Sequence, residues 1–238
     1  MRVFLLLLAT VLGIAPALAA DSAQSRSLGY SLDGKYFAFE QFGIHDGSGF
    51  PYWDIFVLDL AANGWVKGTP ARAVVEDESG DVALARSQAM EKARPVLDKL
   101  AIGEPADLLI SNPATEFVAD RTRVAFGAFP QMPQAYELSV KSLDLPAPPE
   151  CTDPDFKPMG MELTLKVTQP GKTLTLAKDT SIPKSRACPL RYDIEAIYTR
   201  SGYGEGMEVA IIGVYSRGFE GEDRRFIAVP FNLPDWQN

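Results

Sequence analysis

Within this 238-residue chain, only residues 81–100 have the composition of a helix. Almost everything else alternates short apolar or aromatic runs with glycine, proline and acidic turns. Ala, Leu, Met, Glu, Lys and Arg dominate the helical stretch, and Val82, Ala85, Ala89, Val96 and Leu100 share much of one face. Pro95 removes an interior amide donor and crowds the preceding turn, so a kink or restart is expected there, with Gly103 as the breaker beyond it. Strand patterns occupy residues 35–42, 53–60, 71–76, 121–129, 135–143, 161–168, 172–176, 191–198, 208–216 and 225–231. The expected fold is mainly β, built of antiparallel sheets in a sandwich-like or partial-propeller-like arrangement, with one kinked helix near 81–101 on one face.

The first 19 residues follow another logic. Arg2, an apolar run over 3–14 interrupted by Thr10 and Gly13, and Ala17-Leu18-Ala19 make up the three parts of a cleavable signal peptide, with cleavage after residue 19 or 20. Pro16 and the polar run 21–27 end the apolar stretch short of the roughly 20 residues a membrane span needs, so no transmembrane anchor is expected after cleavage. The product is expected in the periplasm or secreted. Its length divides into β hairpins with a helical insertion over 20–144, a proline-rich linker over 145–158 and a C-terminal β region over 159–238, packed as one unit. A formal charge of −8, made more negative by loss of Arg2, opposes nucleic acid and anionic membranes as partners. Cys151 and Cys188 are an even pair beside turn-forming sequence, and an oxidising compartment predicts a structural disulfide between them.

The segment Ser31-Leu32-Asp33-Gly34-Lys35 through Phe39, followed by the strand 54–60, resembles a blade of the TolB-type β-propellers, with Leu32 where those repeats carry proline. Residues 120–126 with 136–145 form a weaker echo, and 207–214 with 226–231 a weaker one still. The two clearer copies begin at Asp33 and Asp120, far from the roughly 40–45-residue period of a closed propeller, so blade-like hairpins in a sandwich are expected instead. Residues 31–42, 46–52, the strand through Leu60 with Trp65, Gly68-Thr69-Pro70, Ser111-Asn112-Pro113, 218–221 and 223–226 carry a second likeness. Through them nearly the whole chain after residue 19 resembles DUF2259, a bacterial family of predicted secreted proteins of unknown function. The resemblance implies secretion and brings no activity, so site residues must come from the chemistry of the sequence.

That chemistry names no catalytic set. His45 is the only histidine, and Ser48 sits in Asp-Gly-Ser-Gly, not in a nucleophile elbow. One histidine near Asp46 and Asp54 is a poor zinc set. Gly202-Tyr203-Gly204-Glu205-Gly206 lacks the lysine of a phosphate loop. Asp46-Gly47-Ser48-Gly49 and Glu220-Gly221-Glu222-Asp223 put carboxylates beside flexible backbone carbonyls, which makes Asp46, Glu220, Glu222 and Asp223 weak calcium candidates, although acidic glycine-rich sequence is ordinarily a solvated turn. No cofactor is expected. The candidate binding loop comprises His45, Asp46, Tyr52, Trp53 and Trp65; Tyr203 and Trp236 are further aromatic faces. A non-enzymatic binding or scaffolding β domain of the cell envelope, with an envelope protein or a glycan as partner, is the leading expectation. The alternative is a carbohydrate-binding or carbohydrate-active protein, marked by a groove with two carboxylates under an exposed tryptophan instead of a flat apolar patch.

Overall fold

The computed structural model describes residues 20–128, 133, 135–169, 171–201 and 206–234; residues 1–19, on which the signal-peptide reading falls, lie outside them, as do Tyr203 and Trp236. β1 (Gln24–Ser31), β2 (Tyr36–Ile44), β3 (Pro51–Asp59) and β4 (Gly64–Trp65) form an antiparallel meander, and β5 (Ala71–Val74) pairs with the other end of β3. After α1 (Val82–Lys99), β6 (Ile102–Glu104) closes this six-stranded sheet against β1. β7 (Ala106–Ser111) leaves it for another sheet. A second sheet, ordered β11-β10-β9-β8, contains β8 (Arg123–Phe126), β9 (Tyr136–Asp144), β10 (Met159–Val167) and β11 (Thr173–Lys178). β12 (Pro189–Arg200), β13 (Glu208–Arg217) and β14 (Glu222–Phe231) join β7 in a third, ordered β14-β13-β12-β7.

The third sheet is the middle layer. On one face Tyr192, Ile194, Ile212 and Val214 pack against Leu138, Met161, Leu163 and Leu165 of the second sheet. On the other, Ile211, Phe226 and Ala228 pack against Tyr30, Phe37, Phe39 and Phe56 of the six-stranded sheet. The outer face of that sheet, through Trp53, Ile55, Ala71 and Ala73, receives Ala85, Ala89 and Ala93 of α1. A strand covered on both faces cannot alternate apolar with polar residues, which is why β13 is buried from Glu208 to Tyr215 and reads as a continuous apolar run. The three hairpins that echo one another in sequence thus fall in three different sheets, stacked face to face.

Asp81 caps α1, its carboxylate accepting the Ala83 N–H at 2.8 Å. The expected restart at Pro95 does not occur: one helix runs from Val82 to Lys99 with the proline inside it. Pro95 lies near the C-terminal end on an exposed face, and Glu91, whose carbonyl loses its donor, is exposed too, so water can take the place of the missing bond. Gly103 is not the breaker either. Ala101 takes the left-handed conformation with φ of 48°, because the chain must reverse at once to lay Ile102 beside Ser31. An alanine there carries a cost of roughly 1–2 kcal/mol that glycine escapes. Ala101→Gly is therefore expected to raise stability by about 0.5–1 kcal/mol in urea unfolding, after glycine's greater unfolded-state entropy is subtracted. No gain would mean that the surrounding turn already compensates.

β6, β7 and the first half of β1 carry no readable strand pattern. β7 is an edge strand with mixed exposure, and the polar start of β1 is held by pairing with β2. The expected disulfide is formed between Cys151 and Cys188, tying the proline-rich segment to the turn before β12. Among the described residues no helix is long and apolar enough to cross a membrane.

Candidate functional site

Alternation along β3 splits its residues between two layers. Trp53 and Ile55 face the helix, while Tyr52, Phe56 and Leu58 face the central sheet. That sheet ends at the edge strand β14, and beyond it a cleft of about 580 Å³ opens onto β3, β4 and β5. Its apolar lining includes Phe56, Trp65, Pro70 and Val74. Its polar groups are Gln41, His45, Asp54, Arg72, Arg186 and Arg225, and the turn over 185–187 forms one wall. Trp65 is 38% exposed and leans on Phe56, their ring centroids 5.0 Å apart, so the indole is a partly exposed face on a rigid aromatic support.

At one end of the cleft a polar cluster centres on Asp21, 3% exposed. Its carboxylate accepts from the Tyr52 hydroxyl at 2.9 Å, from Arg225 Nη1 at 3.0 Å and from Arg225 Nη2, and it lies 3.0 Å from His45 Nδ1. Burial opposes its charge, but the hydrogen bonds and charge of Arg225, helped by His45 and Tyr52, hold the carboxyl below its ordinary range. The His45 ring stacks on Tyr52 at 4.3 Å, and the Arg225 guanidinium lies 4.7 Å from the centroid of the same phenol. Burial pushes the Tyr52 hydroxyl up, so it stays protonated and donates.

Gln41 joins this cluster to the sheet edge. Its Oε1 accepts the Phe226 N–H of β14 at 2.9 Å, and its Nε2 donates to Asp54 Oδ2 at 3.0 Å. An open strand edge is thereby closed by a side chain, and Pro230 further along removes another donor. Asp54 faces the cleft; burial raises its carboxyl above the usual range against the pull of Gln41, Arg72 and Arg225. Gln41→Leu would leave the Phe226 N–H without a partner inside the fold and Asp54 with only the Arg72 guanidinium, 3.8 Å away. It is expected to cost about 2–3 kcal/mol, read by urea unfolding, with Gln41→Glu no better because it sets a second carboxylate against Asp54. A loss below about 0.5 kcal/mol would show that water replaces both bonds.

Of the loop residues singled out by sequence, the structure brings His45, Tyr52 and Trp65 to the cleft. Trp53 points the other way, 4% exposed and stacked on Phe42 at 3.9 Å. Asp46 lies outside the cleft lining and its Oδ2 accepts the Glu220 N–H at 2.8 Å, fastening two loops together. Glu222 pairs with Arg191 at 2.8 Å. Among the described residues no group of three or more His, Cys, Asp or Glu side chains converges on a metal position, the calcium candidates included. Asp21, Gln41, Arg72, Arg186 and Arg225 carried no sequence signal as site residues. Asp21 and Arg225 meet only through tertiary packing.

One titratable group stands apart from the cleft. Glu208 is 7% exposed, and its Oε2 has no hydrogen-bond partner among the described residues. Burial outweighs bonds from backbone amides and Thr199 and pushes the carboxyl up from 4.5 to about 7. Between those values the unfolded chain loses its proton first, so stability falls as pH rises, by roughly 3 kcal/mol across the window, and levels off above it. Glu208→Gln should remove that slope: melting equal to the parent near pH 4, and higher than the parent at about pH 7.5. Parallel pH profiles would refute the assignment.

No curated protein matches the sequence. A family match does exist, and it runs from within β2 through β14, taking in every cleft-lining residue named above but not Asp21 of the adjoining polar cluster. The chain belongs to the DUF2259 family, described as a predicted secreted protein, whose profile matches residues 38–232.

Proposed function

We propose that the protein is a periplasmic or secreted binding domain whose cleft takes a glycan. The observation that carries this reading is the cleft itself: a partly exposed indole, Trp65, braced by Phe56, stands in one lining with Asp54, Gln41 and Arg72. Sugar rings offer flat C–H faces to an aromatic ring and hydroxyls to carboxyl, amide and guanidinium groups, and concave sites of this size with few polar groups suit small ligands. Binding is favoured over hydrolysis because, among the described residues, only Asp54 presents a carboxyl to the cleft. Asp21 has its oxygens engaged by Arg225, Tyr52 and His45, whereas glycoside hydrolysis ordinarily needs two available carboxyl groups.

The test is calorimetric titration of a panel of neutral and uronic-acid-containing oligosaccharides. At least one is expected to bind, and Trp65→Ala is expected to weaken it by about tenfold or more, since a lost aromatic contact of about 1.4 kcal/mol is a factor of ten. Absence of glycan binding, combined with capture of an envelope protein that Trp65→Ala does not disturb, would replace this reading with the scaffolding one.

A further inference from the structure

The residues that follow the leader are built into the fold. Ala23 is fully buried in the core between the six-stranded and central sheets, and Ser22 forms a parallel bridge with Arg224. The Arg224 N–H donates to the Asp21 carbonyl at 2.9 Å, the Ala23 N–H to the Arg224 carbonyl at 3.2 Å, and the Arg224 guanidinium to the Ala23 carbonyl at 2.8 Å. The Ser22 N–H donates to the Ala20 carbonyl at 2.8 Å, curling the chain back over the turn at 218–221. There a Cβ on Gly221 would stand 3.1 Å from that of Ala20.

Asp223 lies at this contact. Its carboxyl is hydrogen-bonded by the backbone amide of Asp21, and Gly218 packs so closely that a Cβ there would fall 2.2 Å from Oδ1. Oδ1 is shielded from solvent and has no hydrogen-bond partner among the described residues. The charged groups that act most on Asp223 are Asp21, Arg225 and Asp46; the cation among them, Arg225, is committed to Asp21. Burial, followed by the charge of Asp21, pushes the Asp223 carboxyl up. A buried acceptor in this position calls for a donor, and a cation suits it best.

We propose that the missing partner is the α-ammonium group of Ala20, created when the leader is removed, and that this ion pair seats Asp21 in the polar cluster at the end of the cleft. The inference rests on the signal-peptide reading of residues 1–19. Hydrolysis of the bond between Ala19 and Ala20 consumes one water and leaves a carboxylate on Ala19 and an α-ammonium on Ala20. Before cleavage that nitrogen is an amide with one hydrogen; afterwards it has three donors and a charge, one residue upstream of the amide that Asp223 already binds. Processing thereby supplies the last contact of the segment that holds Arg225, His45 and Tyr52 together.

The experiment uses the exported, processed protein. Its intact mass reports the first residue, and its reaction with 2-pyridinecarboxaldehyde, which condenses with terminal α-amines, reports how accessible that amine is. Near pH 7.5, just below the ordinary α-amino pKa of about 7.7–8.0, the folded protein is expected to react at least about tenfold more slowly than the urea-unfolded protein. Asp223→Asn should restore most of the rate while Asp46→Asn leaves it slow. A chain beginning at Ala20 that reacts as fast folded as unfolded, or as slowly in Asp223→Asn as in the parent, would overturn the ion pair and leave the processing reading intact. A mass that retains residues upstream of Ala20 would overturn both. The unfolded parent provides the reference rate even if Asp223→Asn does not fold.

Discussion

Replacing Arg26 and Arg86 together by alanine is expected to lower stability by about 3–5 kcal/mol, because it strips a buried carboxylate of its countercharges. Glu40 is fully buried on β2, where it accepts from Arg26 Nε at 2.6 Å, Arg86 Nε at 3.2 Å and Trp53 Nε1 at 2.8 Å. Both guanidinium groups are about half exposed, with side-chain exposures of 54% and 42%, so each alone recovers hydration when the pair is broken. The acid cannot. Single variants should therefore cost much less than the double one, since the remaining arginine still neutralises Glu40, and a double-mutant cycle should show strong coupling. Arg86, with Lys92, which donates to the Arg72 carbonyl at 2.7 Å, also ties α1 to the sheet, and Arg86 lies 5.6 Å from the Trp53 ring. In a Glu40→Gln background the same double substitution should be nearly harmless. If it costs as much there, or under about 1 kcal/mol in the parent, charge burial is not what the arginines answer.

The second large effect concerns Cys151 and Cys188. Removing both as serine is expected to cost about 4 kcal/mol on the chain-entropy account, given their sequence separation of 37 residues. The closed loop contains β10 and β11, so the bond limits the unfolded freedom of a whole hairpin of the second sheet. Urea unfolding should show a lower midpoint together with a steeper dependence on denaturant, because an unfolded chain without the cross-link exposes more surface. A lower midpoint at unchanged slope would place the stabilisation in the native state instead. Thiol labelling of the unreduced, unfolded protein should find neither cysteine.

Much of the fold was legible because strand and helix periods are local properties. Residues 35–42 and 53–60 predicted the β2–β3 hairpin, and the apolar run from Val209 to Tyr215 predicted β13, since burial on both faces leaves no room for polar alternation. β7 was invisible because an edge strand with mixed exposure has no period to read. The restart at Pro95 and the breaker role of Gly103 failed for a related reason: propensity scores a residue alone, whereas an exposed proline near a helix end loses little and a forced reversal at Ala101 overrides the preference for glycine. At the site, Trp65 and His45 could be suspected from residue type. Nothing local distinguishes Trp53 from Tyr52, yet one residue's shift along β3 turns the first toward the helix and the second toward the cleft.

Export, the predominance of strands, the cysteine pairing and the poverty of catalytic histidine or phosphate-loop chemistry follow from composition, period and motif, which act over a few neighbouring residues. The three-layer stacking of sheets, the cleft beyond β14 and the meeting of Asp21 with Arg225 were decided by tertiary structure alone. They depend on which face of each strand is buried and on contacts between residues at opposite ends of the chain. Such contacts form only when the whole apolar surface is removed from water at once, and no local pattern encodes them.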